Sequence, residues 1–143
     1  FNSLTDLRGG MRVHGTRENV DAGVINTSGG VGNHKVTLDL GSSTVFDLTL
    51  TDDVDFFELS NIPTDGGTFT IKLTQNSAGG HAALVDVFKT TSPATIPVYW
   101  PGGVVPTLTS TANKTDIYSF KFFDGANITT KGLYGVIGGQ NFS

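Results

Sequence analysis

The chain of 143 residues contains no cysteine. That excludes a disulfide framework and any thiolate metal site, and it fits assembly in a reducing cytosol. Apolar residues come in short bursts, and no run approaches the ~20 residues that a membrane-spanning helix needs. No membrane insertion is expected, and no signal peptide opens the sequence. Charge is scarce: Asp, Glu, Lys and Arg make up 15% of the chain, against roughly 25% in ordinary soluble domains. With a net charge of −4, a wide basic footprint for nucleic acid is not expected. Long solvated helices, which draw on Glu, Lys and Arg, are poorly supplied as well. What the chain does have is glycine, 19 residues of it, and many threonines set between short alternating segments. It opens on Phe1 without an initiator Met, and is read as a processed product or the tail end of something longer.

Alternation of apolar and polar residues every second position is the mark of a half-buried strand. It runs through Val36, Leu38 and Leu40, then through Phe46, Leu48 and Leu50. Val54 and Phe56 share one parity and Phe57 and Leu59 the other, as a β-bulge would produce. The pattern resumes at Phe69, Ile71 and Leu73, at Ala83, Val85 and Val87 with Leu84 and Phe88 opposite, at Tyr118, Phe120 and Phe122, and over Leu133–Ile137. Gly41-Ser42-Ser43, Pro63 to Gly67, Gln75 to Gly80 and Asp124-Gly125 supply turns between them. The expected fold is all-β: an antiparallel, jelly-roll-like β-sandwich of about seven to nine strands with no helix and no internal repeat. Residues 1–35 carry no sustained period. Short strands near Met11–His14 and Ala22–Ile25 aside, they read as an extended N-terminal arm making an oligomer contact, ahead of a sandwich over 36–143.

The stretch Val98 to Thr109 holds the single Trp and two of the five prolines. Pro101 and Pro106 bar a central strand, and Gly102-Gly103 lets the chain turn sharply. Trp100, Pro101, Gly102, Gly103 and Pro106 therefore read as a rigid structural corner with an aromatic plug, carrying the chain from one sheet towards another. If Tyr99, Trp100 or Tyr134 instead lined a groove, a sugar-binding surface would be indicated.

The remaining chemistry-bearing residues form no catalytic pattern. Asp52, Asp53, Asp55 and Glu58 lack the glycine of a calcium loop and read as a polar hairpin tip. His14, His34 and His81 are dispersed, so no metal and no cofactor is assigned. Arg12, Arg17 and Glu18 are candidate oligomer contacts or solvated charges. No Gly-x-Ser-x-Gly elbow and no phosphate loop occurs. The Asn-x-Ser/Thr triplets at Asn26, Asn113, Asn127 and Asn141 are expected by chance in a chain of this composition.

Residues 36–142 nonetheless resemble a module of the virion structural proteins and fibres of tailed bacteriophages, marine and cyanobacterial phages especially. The similarity is carried by Val36-Thr37-Leu38-Asp39-Leu40 and Phe46-Asp47-Leu48-Thr49-Leu50-Thr51, then by Gly67 to Asn76. It continues in Tyr99-Trp100-Pro101-Gly102-Gly103 with Pro106-Thr107-Leu108-Thr109, in Lys114 to Phe120, and in Tyr134 to Phe142. His81 to Phe88 departs from the family's pattern, and so do the added loop Lys89–Pro97 and Ala126-Asn127-Ile128.

The resemblance implies a β-sandwich that ends a structural polypeptide, commonly as a homotrimer, with no catalytic residues. The expected protein is therefore non-enzymatic and virion-bound, assembled in the bacterial host cytoplasm. It would be the C-terminal module of a tail or capsid-associated fibre acting in trimerisation and host attachment. Its partners would be a fibre shaft or the major capsid protein, and a host surface glycan or receptor. The alternatives are a capsid decoration or cement protein bound to the head lattice and, in a different class, a carbohydrate-binding or glycan-cleaving β module.

Overall fold

The computed structural model describes residues 20–25 and 33–143. Met11–His14, Arg12, Arg17, Glu18 and Asn26 lie outside the described residues. Among the described residues there are ten strands: β1 Val20–Ile25, β2 Lys35–Asp39, β3 Val45–Leu50, β4 Phe56–Ser60, β5 Gly67–Gln75, β6 Phe88–Thr90, β7 Thr95–Ile96, β8 Val98–Tyr99, β9 Thr115–Phe122 and β10 Leu133–Phe142. They form two packed sheets, ordered β1-β3-β5-β9-β10-β8 and β2-β4-β6-β7. The all-β, two-sheet architecture follows the sequence expectation. A four-residue helix α1, Ile128–Lys131, is an addition to it.

Strand direction is the main correction. Up to residue 90 the chain alternates between sheets, and like-numbered neighbours are parallel: β1 with β3 and β3 with β5, β2 with β4 and β4 with β6. In the larger sheet the register advances by a constant 25 residues, from Val20 to Val45 to Thr70. The smaller sheet steps 21 residues, Lys35 to Phe56, and then 31, Phe57 to Phe88. Residues 20–90 are thus a parallel coil, each turn laying one strand in each sheet. The turn signals at Gly41-Ser42-Ser43 and Pro63 to Gly67 are real, but they carry the chain across to the facing sheet and do not fold a hairpin back. Parallel neighbours need a long crossover, and here each crossover contains a strand of the other sheet. Part of the stretch assigned to the arm, Val20–Ile25, is itself an edge strand of this coil.

Antiparallel pairing begins where the coil closes. Strand β9 pairs with β5 and with β10, and β8 lies parallel to β10. The added loop Lys89–Pro97 is partly a small antiparallel ladder, β6 with β7. Residues 83–87, expected as a strand, contribute only a bridge between Ala83 and Val54. Phe88, expected opposite Ala83 and Val85, is buried with them.

The core lies between the sheets. Phe46, Leu48, Leu50, Phe69, Ile71, Leu73, Tyr118, Phe120 and Phe122 face inward from the larger sheet, and Leu38, Phe57, Leu59 and Phe88 from the smaller. In-register partners stack: Phe57 on Phe88 at 5.4 Å and Phe69 on Phe120 at 5.1 Å between ring centroids. Phe88 bridges the layers, 6.0 Å from Phe69 and 4.9 Å from Phe120. Each such buried ring contributes about 1.5–3 kcal/mol of hydrophobic stabilisation.

Candidate functional site

The Trp100 corner divides into a buried half and an exposed half. Trp100 is 7% exposed, edge-on to Phe120 at 5.6 Å and to Tyr118 at 6.2 Å. Its seat is Gly135, where a Cβ would come within 2.7 Å of the indole ring. The turn itself, Pro101–Gly103, is a short 3-10 turn closed by the Gly103 amide donating to the Trp100 carbonyl at 2.9 Å. Gly102 and Gly103 have φ of 68° and 71°, the left-handed region that glycine tolerates. The change of sheet falls at Pro97, between β7 and β8, so the corner lies one strand later than the crossing it was expected to make.

Past the corner, residues 104–114 contain no strand, and buried side chains take over the work of a ladder. Asp116, 1% exposed, accepts from the Thr109 amide at 2.7 Å, the Asn141 amide at 2.8 Å, the Tyr118 hydroxyl at 3.0 Å and Gln140 Nε2 at 3.1 Å. Burial alone would raise its carboxyl; the donated bonds from Thr109, Asn141 and Gln140 outweigh that and hold it below the ordinary carboxylate range. Tyr118 is pushed well above a free phenol by burial, by the Asp116 charge and by the bond it donates to Asp116. Gln75 grips Thr109 from the other side, donating to its carbonyl at 3.0 Å and to that of His81 at 2.7 Å, and accepting from the His81 amide at 3.1 Å. Sequence reading missed both residues. The signal was available: Gln75 is in phase with Phe69, Ile71 and Leu73, and Asp116 with Tyr118 and Phe120, so each places a polar group on an apolar face.

The acidic group does not form a hairpin tip. Asp53 accepts from the Ala82 amide at 2.8 Å, Asp55 from the His34 amide at 2.8 Å, and Glu58 pairs with Lys35 at 3.0 Å. His34 and His81 each stand beside a different carboxylate, 3.8 Å from Asp52 and 3.9 Å from Asp53. Among the described residues no three metal-ligating side chains converge.

The outer face of the larger sheet carries the most distinctive surface. Register places Thr68 (β5), Lys121 (β9), Tyr134 (β10) and Tyr99 (β8) in one row across four strands. At ~4.8 Å between strands the row is about 14 Å long. A second row runs Thr70, Ser119, Val136. Tyr99, Tyr134 and Phe123 are 46%, 48% and 65% exposed. Tyr134 sits 5.2 Å from Tyr99 and 5.6 Å, edge-on, from Phe123. The Lys121 ammonium lies 5.2 Å from the Phe123 ring, and Thr70 and Ser119 share a hydroxyl bond of 2.9 Å. Thr68, Thr70, Ser119, Lys121, Phe123 and Tyr134 line an open cavity of about 560 Å³, within the size range of small-molecule sites, and Tyr99 stands outside it against Tyr134. The aromatic test set by the sequence therefore gives a split result: Trp100 is core, whereas Tyr99 and Tyr134 are surface.

Fold and site define a two-layer all-β protein with an exposed aromatic cluster on one sheet. Compared with protein-family models, with curated proteins and with solved structures, the chain matches none.

Proposed function

We propose that the chain is a non-enzymatic structural module of a tailed-bacteriophage virion, the C-terminal unit of a tail or capsid-associated fibre that trimerises and attaches to the host surface. The observation that carries this reading is the asymmetry of the coil. At one end, antiparallel β9 and β10 and the Trp100 corner stop further parallel turns. At the other, β1 and β2 are the terminal strands of their sheets among the described residues, open to another turn or another chain. A parallel coil capped at one end by antiparallel strands is how a repetitive shaft finishes, and sheet edges favour closed symmetry. The attachment role draws on the exposed Tyr99, Phe123 and Tyr134, since contiguous surface aromatics mark recognition sites.

Light scattering on the purified chain tests the reading. A trimer has three times the 15.0 kDa of one chain. A monomer would overturn the fibre reading in favour of a decoration protein that orders on the head lattice. The reading of a different class, a carbohydrate-binding β module, draws on the same exposed tyrosines and needs no trimer.

A further inference from the structure

We infer that the outer-face cavity over β5, β9 and β10 is a binding site for a carboxylate-bearing pyranoside glycan, with Tyr134 as the stacking ring, extended beyond the cavity by the adjoining Tyr99, and Lys121 as the anion contact. The inference rests on the attachment half of the function proposed above and names the ligand class of that surface.

Three observations carry it. The first is the aromatic pair. Tyr99 and Tyr134 are about half exposed although they adjoin a well-filled core, and their rings meet at 36°. They present a shallow apolar ledge to solvent, suited to the C–H face of a sugar ring. The second is the polar floor. Thr68, Thr70 and Ser119 place hydroxyls beside the ledge, and the Thr70–Ser119 bond uses only part of their donor and acceptor capacity. An aliphatic or lipid occupant would leave those hydroxyls unsatisfied, whereas a polyol matches them. The third is charge. Lys35 and Lys72 are paired with Glu58 and Asp47. Lys121, at the cavity, has a ring beneath it and no carboxylate partner among the described residues. In a chain of net charge −4, this cation is complementary to an anionic ligand and adds selectivity more than affinity.

The probes are trigalacturonate and galactotriose, which differ at each ring by a carboxylate in place of a hydroxymethyl group. Both are titrated into the full chain while its amide shifts and its mass are followed. Trigalacturonate is expected to bind about two- to fivefold more tightly than galactotriose, the range an exposed charge pair supplies. Lys121→Gln should erase that preference while leaving galactotriose binding intact, and Tyr134→Ala should weaken both sugars about three- to tenfold. Lys35→Gln, on the smaller sheet and away from the cavity, should bind like the parent and serves as the control. The inference is overturned if neither sugar shifts the amides of β9 and β10 at millimolar concentration, or if Lys121→Gln keeps the preference. It is overturned equally if Tyr134→Ala dissociates an oligomer, which would assign the patch to contact between copies. A trimer that ignores both sugars removes this inference and leaves the fibre module standing; a monomer that binds them does the reverse.

Discussion

The coil of residues 20–90 and the closing region of residues 98–142 solve the same problem, covering one core, by different means. In the coil, direction repeats and the outer face is tied down by charge and hydroxyls: Lys72 bonds Asp47 at 2.9 Å, and Lys35 bonds Glu58 at 3.0 Å. In the closing region direction reverses, the segment after Trp100 is held by two buried polar side chains, and the outer face is left aromatic. The two exteriors therefore differ in chemistry, charged and hydroxylated on one side and aromatic on the other. The outer faces of the coil's strands carry paired charges. The exterior of β8 to β10 carries Tyr99 and Tyr134.

Substitutions rank that contrast. The largest effect should come from Trp100→Ala, which empties the space over Gly135 and is expected to cost about 3–5 kcal/mol in denaturant unfolding. A near-neutral result would mean that the ring is not the plug of the closing region. Asp116→Asn should cost about 2–3 kcal/mol, because its amide keeps one acceptor and turns an NH2 donor towards either the Asn141 amide or the Thr109 amide and Gln140 Nε2. It should also change the acid limb. The folded carboxyl lies below its ordinary value of 3.8, so its contribution is present above that value and is lost as pH falls through the folded pKa. The parent should therefore lose stability below about pH 4 more steeply than the variant; parallel acid limbs would remove Asp116 from the account. Gly135→Ala drives a methyl into the indole and should cost about 1–3 kcal/mol, with the indole fluorescence shifting as the ring is displaced. Lys72→Ala breaks an exposed pair and should change stability by less than about 1 kcal/mol. Tyr134→Ala should be as mild, within about 1 kcal/mol. A large loss there would make the aromatic cluster a structural prop and collapse the contrast between the two exteriors.

Much of this was legible in the sequence, and the limits have physical reasons. Every inward residue of β3, β5 and β9 sits where the two-residue period puts it, because burial of alternate side chains is a local property. The burial of Trp100 followed from its size and its rigid neighbours. Strand direction was not legible: the period reports which face a side chain takes, and it is the same for parallel and antiparallel partners. The 25-residue step is a property of register, with Val45 matched to Thr70 and Asp47 to Lys72, so no similarity of side chains betrays it. The aromatic cluster joins Tyr99, Phe123 and Tyr134 from three separate segments, and only the pairing of β8, β9 and β10 brings them together.

The seat of Trp100 has a consequence in time. Gly135 and Asn141, which receive the indole and help hold Asp116, both belong to β10, made after every strand they close upon. During synthesis β8 has no partner, and the indole no place to rest, until β10 leaves the ribosome. The coil can wind as it emerges; the strand that closes it follows later. A chain ended before Gly135 should expose its single tryptophan to aqueous quencher, and this sequence thereby makes the arrival of β10 a condition for closing the core around the indole.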